Sequence, residues 1–166
     1  MNRRFGVRWG RPLKMMTILS LAICIGVPVT GINRFSYVGG SDWAVYLLFL
    51  PILLVVGAAF FTILGYGITD DQIIIYHPGW KRTFEIAELT KAVHEPYATA
   101  GSIRTWGNGG LFSFSGYFRS SYLGPYRAYM THAEDTVILY FGNDNKVVIS
   151  PKEPEAFIDA LNMPVL

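Results

Sequence analysis

Two long runs without a charged side chain constrain this chain more than any other feature. Nothing is charged from Met15 to Asn33, and nothing from Trp43 to Thr69. A hydrocarbon layer about 30 Å thick is crossed by roughly 20 apolar residues in a helix. Leu13 to Ile32 and Trp43 to Tyr66 each supply such a stretch. Two transmembrane α-helices are therefore expected, at about 13–32 and 43–66. Lys14 can snorkel at the edge of the first. Pro28 and Pro51 would break a soluble helix, but in a membrane neighbouring groups satisfy the freed carbonyls. Trp9, Trp43, Tyr46 and Tyr66 stand near the expected ends, where amphipathic rings favour the interface. Gly57, Ala58 and Gly65 offer small surfaces for packing against the first span.

The link between the runs, Asn33 to Asp42, is short and contains Gly39, Gly40 and Ser41, a turn composition. So short a link makes the spans an antiparallel hairpin. Arg3, Arg4, Arg8, Arg11 and Lys14 precede the first span, whereas the link holds only Arg34. The positive-inside rule puts the N-terminus in the cytoplasm, and two crossings return the rest of the chain there. A signal peptide is the competing reading of the first run, but VPVTG after it makes a poor cleavage site. The expected division is 1–67, a basic tail and membrane anchor, and 68–166, a cytoplasmic domain at the inner membrane.

Beyond residue 68 the composition is ordinary, with eight Lys/Arg against eleven Asp/Glu. That balance excludes a soluble nucleic-acid-binding patch. The single cysteine, Cys24, lies in the first apolar run and cannot form an intramolecular disulfide. Strand patterns are expected at Ile73–Tyr76, Arg82–Ile86, Leu89–His94, Tyr126–Thr131, Thr136–Phe141 and Lys146–Ile149, the last two joined as a hairpin. Residues 101–125, rich in Gly and aromatics, are expected to be irregular. Ser150, Pro151 and Glu153 have the spacing of a helix start with a capping box. Phe157, Ile158 and Leu161 then form one apolar face of a helix ending near Asn162. Consecutive strands closed by one amphipathic helix suggest a β-barrel or sandwich with a helical cap.

Several phrases are similar to the bacterial pleckstrin-homology-like (bPH) domain family. They include Gly101-Ser102-Ile103-Arg104, Gly107-Asn108-Gly109-Gly110-Leu111-Phe112, Phe118-Arg119 and Leu123-Gly124-Pro125-Tyr126-Arg127-Ala128-Tyr129. The last runs from Val148-Ile149-Ser150-Pro151 through Lys152-Glu153-Pro154-Glu155-Ala156-Phe157. The resemblance covers about 67–163. It implies a strongly bent, PH-like barrel of about seven strands capped by a C-terminal α-helix, in a member anchored by two N-terminal spans. It brings no ligand with it, because fold does not fix function.

The candidate binding residues are Arg104, Trp106, Asn108, Arg119 and Arg127. Arginine forks suit phosphate or carboxylate, and the aromatics around them (Trp106, Phe112, Phe114, Tyr117, Phe118, Tyr122) suit an interface. The bland alternative is surface arginines over a barrel core. Gly107–Gly110 matches no nucleotide-binding spacing and reads as a turn with positive φ. His77, His94 and His132 are too scattered for a metal set, and no catalytic constellation is present, so no cofactor is expected. The expected function is a non-catalytic, membrane-tethered binding or scaffolding module. Its partners would be the bilayer, membrane proteins or anionic lipid headgroups, and a second copy of itself. The alternative is a membrane-surface enzyme or an accessory subunit of one.

Overall fold

The computed structural model describes residues 3–35, 42–142 and 144–161. A short strand β1 (Arg3–Phe5) precedes two helices, α1 (Arg11–Phe35) and α2 (Asp42–Ala59), which pack against each other. Nine strands follow: β2 (Gly65–Ile68), β3 (Gln72–His77), β4 (Trp80–Glu85), β5 (Leu89–His94), β6 (Ile103–Gly109), β7 (Phe114–Ser120), β8 (Gly124–Met130), β9 (Val137–Phe141) and β10 (Asn145–Ile149). Helix α3 (Pro154–Ala160) follows them.

The strands form two sheets, β1-β2-β3-β4 and β5-β9-β10-β8-β7-β6. All pairings are antiparallel except β10 with β8. The expected closed barrel is thus two open sheets facing each other, with β4 and β6 among the free edges. The hydrophobic pattern explains why both sheets persist. In β9 (VILYF) and β10 (NKVVI) successive side chains point to opposite faces, and both faces are covered. Val137, Leu139, Val147 and Ile149 meet Tyr66, Ile73, Ile75 and Phe157 between the sheets, whereas Ile138 and Val148 join Phe118, Tyr126 and Ala128 on the outer face.

Several sequence expectations change. The Gly-aromatic stretch is not irregular: it is the β6–β7 hairpin. Gly107 and Gly116 face each other there with φ of 107° and 142°, and a Cβ on either would strike the opposite backbone at 2.4 or 2.2 Å. Paired glycines erase the alternation by which a strand is read. The second apolar run does not stay helical to Tyr66. Its helix ends at Ala59, and Gly65 to Ile68 is a fully buried strand, so a domain boundary at 67/68 cuts β2. Only α1, over Arg11–Gly31, has the length and composition of a span among the described residues. The apolar part of α2 there is Phe49–Ala59. Tyr66 is 0% exposed and lies in the core, not at a membrane edge. The capping box does not form either: Ser150 Oγ accepts Thr131 N–H at 2.8 Å, and α3 starts at Pro154 without a side-chain cap. The turn expected around Gly39, Gly40 and Ser41, the helix end expected near Asn162 and the side chains of Trp43 and Tyr46 lie outside the described residues.

The basic tail is the largest departure. Arg3–Phe5 pairs with Tyr66–Ile68, Val7 bridges to Pro151, and Lys152 N–H bonds Gly6 O at 3.0 Å. Phe5 packs edge-on against Phe157, at 5.1 Å. Gly10 donates to Thr131 O and passes so close over His132 that a Cβ would sit 2.8 Å from it. A larger residue there would push the entry to α1 off the sheet.

Candidate functional site

The helices and the sheets meet at a joint built from side chains. A helix ends with carbonyls that lack intrahelical donors. Just past α2, three consecutive carbonyls each receive one from the domain. Trp80 Nε1 donates to Phe60 O (2.8 Å), Ser113 Oγ to Phe61 O (2.7 Å) and His77 Nδ1 to Thr62 O (3.0 Å). Donation from Nδ1 fixes the His77 tautomer and leaves Nε2 buried without a partner among the described residues. Trp80 stacks on His77 at 3.9 Å and meets Phe61 edge-on at 5.7 Å. Burial lowers the pKa of His77, against the opposing pull of the Thr62 and Phe61 carbonyls. The turn that joins β3 to β4 is therefore fixed to the end of α2.

The tip of the β6–β7 hairpin is fixed to α1 in the same manner. Thr17 Oγ1 donates to Gly110 O (3.2 Å) and accepts Phe112 N–H (3.1 Å). Asn108 Oδ1 accepts the N–H groups of Gly110 and Leu111, and Asn108 Nδ2 donates to Leu111 O. Phe112 packs on Trp9. Beyond the tip, the described side chains of α1 and α2 include many exposed apolar ones, among them Ile18, Leu19, Ile23, Phe49 and Leu53.

On the domain, one face of the six-stranded sheet is only partly covered. Cross-strand partners share a face. Ile103 pairs with Arg119, Trp106 with Tyr117, and Tyr117 with Arg127. These residues line the side that looks toward the smaller sheet. Where the barrel fails to close, a cleft of about 480 Å³ opens between β4 and β8. Phe84 sits between Tyr129 (6.0 Å) and Phe141 (5.4 Å) at its floor. Arg82 lies over Phe84 at 5.8 Å and Arg127 over Tyr117 at 5.0 Å. Both arginines act electrostatically on Tyr129, whose pKa burial raises. Neither is ion-paired among the described residues, although Glu85, Glu88 and Asp144 stand on the rim.

Of the sequence candidates, Trp106 (77% exposed), Arg119 and Arg127 share this face. Arg104 is paired with Phe118, outside this row, and curls onto Gly107 O (3.1 Å). Asn108 spends its amide on the hairpin tip. Arg82 and Phe84 are the residues that sequence reasoning missed, although their spacing of two in a strand puts them on one face. The histidines have separate settings: His77 in the joint, His94 3.9 Å from Asp135, and His132 under Gly10. Among the described residues no three His, Cys, Asp or Glu side chains are placed to hold a metal.

One family model, that of the bacterial PH domain, matches residues 64–164. That is over half of the chain, and it starts at the strand that follows the helices. No curated protein and no solved structure matches the chain.

Proposed function

The chain belongs to the bacterial PH domain family, and from that premise we propose a non-catalytic binding module held at the bacterial inner membrane by its helical hairpin. The observation that carries the reading is the joint. Three consecutive carbonyls after α2 are capped by side chains from the domain, and Thr17 of α1 is clasped by a second hairpin. A flexible tether would need none of these bonds. A fixed joint gives the domain one orientation to the bilayer, and tethering raises the effective concentration of weak contacts.

Pairing of β1 with β2 supports the topology. Paired strands lie on one side of a membrane, which favours an even number of crossings between them, and the basic N-terminal residues favour the cytoplasm. The same pairing argues against removal of the first run as a signal peptide. The binding surface in this reading runs from Trp106 and Arg119 through Arg127 to Arg82. Its partner is an anionic membrane component, a protein segment or a lipid headgroup.

The test is affinity purification of the full-length protein in mild detergent, wild type against Arg119→Ala/Arg127→Ala, with proteins and lipids identified. Exposed substitutions typically cost under about 0.5 kcal/mol, and a cation–π contact about 0.5–1 kcal/mol, so the variant folds. Recovery of at least one anionic lipid or protein should fall several-fold. An unchanged set of partners overturns the proposed surface.

A further inference from the structure

We infer that the tip of the β6–β7 hairpin, Gly110–Phe112, is immersed in the bilayer at the boundary between headgroups and acyl chains, with Leu111 and Phe112 touching lipid. This rests on the membrane reading above and goes beyond it, because it makes part of the PH domain itself a membrane-contacting element.

Depth is the first observation. Lys14 and Asn33 flank Met15–Ile32, which is free of charge. At a rise of about 1.5 Å per residue those 18 residues span roughly 27 Å, close to the thickness of the hydrocarbon core. Any layer that covers them puts Thr17 about 3 Å inside its edge. Thr17 is the residue that holds Gly110 and Phe112, and Met16 lies where a Cβ on Gly110 would meet it at 3.4 Å. On the other helix, Ser113 reaches Phe61 O, and Phe60, Phe61 and Leu64 remain exposed there. Both helices thus put the tip at the same level.

Polar bookkeeping is the second. Non-helical backbone at membrane depth persists only where its hydrogen bonds are satisfied from within the protein. The three N–H groups of Gly110, Leu111 and Phe112 all have acceptors in Asn108, Ser113 or Thr17, and the carbonyls of Gly110 and Leu111 both have side-chain donors. Composition is the third. No charged residue occurs from Thr105 to Phe118, while Arg104 and Arg119 close the hairpin at its far end. An apolar tip with cationic shoulders matches the polarity gradient of an anionic leaflet.

The experiment is spin-label accessibility on the full-length protein in vesicles of phosphatidylethanolamine and phosphatidylglycerol, in a Cys24→Ala background. A label at Leu111→Cys is compared with one at Ile23→Cys in α1 and one at Tyr97→Cys on the domain. Immersion predicts that the Leu111 label has a ratio of oxygen to nickel-chelate accessibility several-fold above that at Tyr97 and moving toward that at Ile23. A nickel-accessible label at 111 together with an oxygen-rich label at 23 overturns the inference and leaves the anchor standing. Nickel access at both positions overturns the anchor and the inference together. If Leu111→Cys does not fold, Leu111→Trp replaces it, read as added quenching by lipids brominated high in the acyl chain. No added quenching overturns the inference.

Discussion

Tyr66→Phe separates two placements of the same residue. At the end of a membrane span the phenol would face headgroups, and its loss would cost almost nothing. In the structure the hydroxyl donates to Tyr129 O at 2.7 Å and accepts Ser150 N–H at 3.2 Å, while the ring meets Phe157 at 6.3 Å. Burial pushes the phenol pKa up to about 12, so at neutral pH it is a donor with no access to water. The substitution keeps the ring and removes both bonds. Each buried group left without a partner costs about 1–3 kcal/mol, so two should cost about 2–6 kcal/mol. For a domain of this size about 4 °C of melting temperature accompanies each kcal/mol, giving a drop of about 8–24 °C. Thermal unfolding of the full-length protein in mild detergent measures it. Tyr97→Phe, at an exposed site, is the control and should cost under about 0.5 kcal/mol. A melting temperature for Tyr66→Phe within two or so degrees of wild type would refute the core placement.

Two further outcomes follow from the joint and the tail. Burial lowers the pKa of His77, and of His132 with help from Arg8 against Asp135 and Glu134. The unfolded chain then binds protons that the folded one refuses. Stability should be retained above the ordinary histidine value of about 6.5 and fall as pH drops below it toward the folded values; His77→Gln should shrink the loss between pH 7.5 and 5.5, and equal slopes would refute its share. A fragment of 68–166 lacks β1, most of β2, Ile63 and Tyr66 and should not melt cooperatively, whereas a sharp transition by circular dichroism would show that these parts are dispensable.

Much of the domain was legible because its strands are short runs of β-branched and aromatic residues between turn signals. The β9–β10 hairpin and the α3 face at Phe157, Ile158 and Leu161 follow the sequence reading closely. What was not legible depended on partners distant in sequence. Arg3-Arg4-Phe5 carries the positive-inside signal, and nothing in three residues announces a strand whose mate lies at 66–68. Gly65-Tyr66-Gly67-Ile68 continues an apolar run, and only pairing with Ile73–Tyr76 distinguishes strand from span. In β6 the Gly107–Gly116 close approach replaces alternation. Of the candidate site, the arginines were visible as residue types, but the cleft needs β4 and β8 to face each other from separate sheets.

The order of elements also constrains how this fold can assemble. β1 emerges first and its partner β2 comes about sixty residues later, with the whole hairpin between them. The edge of β2 that β1 covers belongs to a fully buried strand, and an uncovered strand edge invites pairing with another chain. On either side of the two helices the chain is tied to the domain, Gly10 N–H to Thr131 O and Leu64 N–H to Tyr76 O. Closing a long loop costs only slowly more entropy as it lengthens, and a preformed helical hairpin shortens the effective span. β1 is therefore a latch in the finished fold: it covers the outer edge of β2 across a hairpin that brings two distant parts of the chain together.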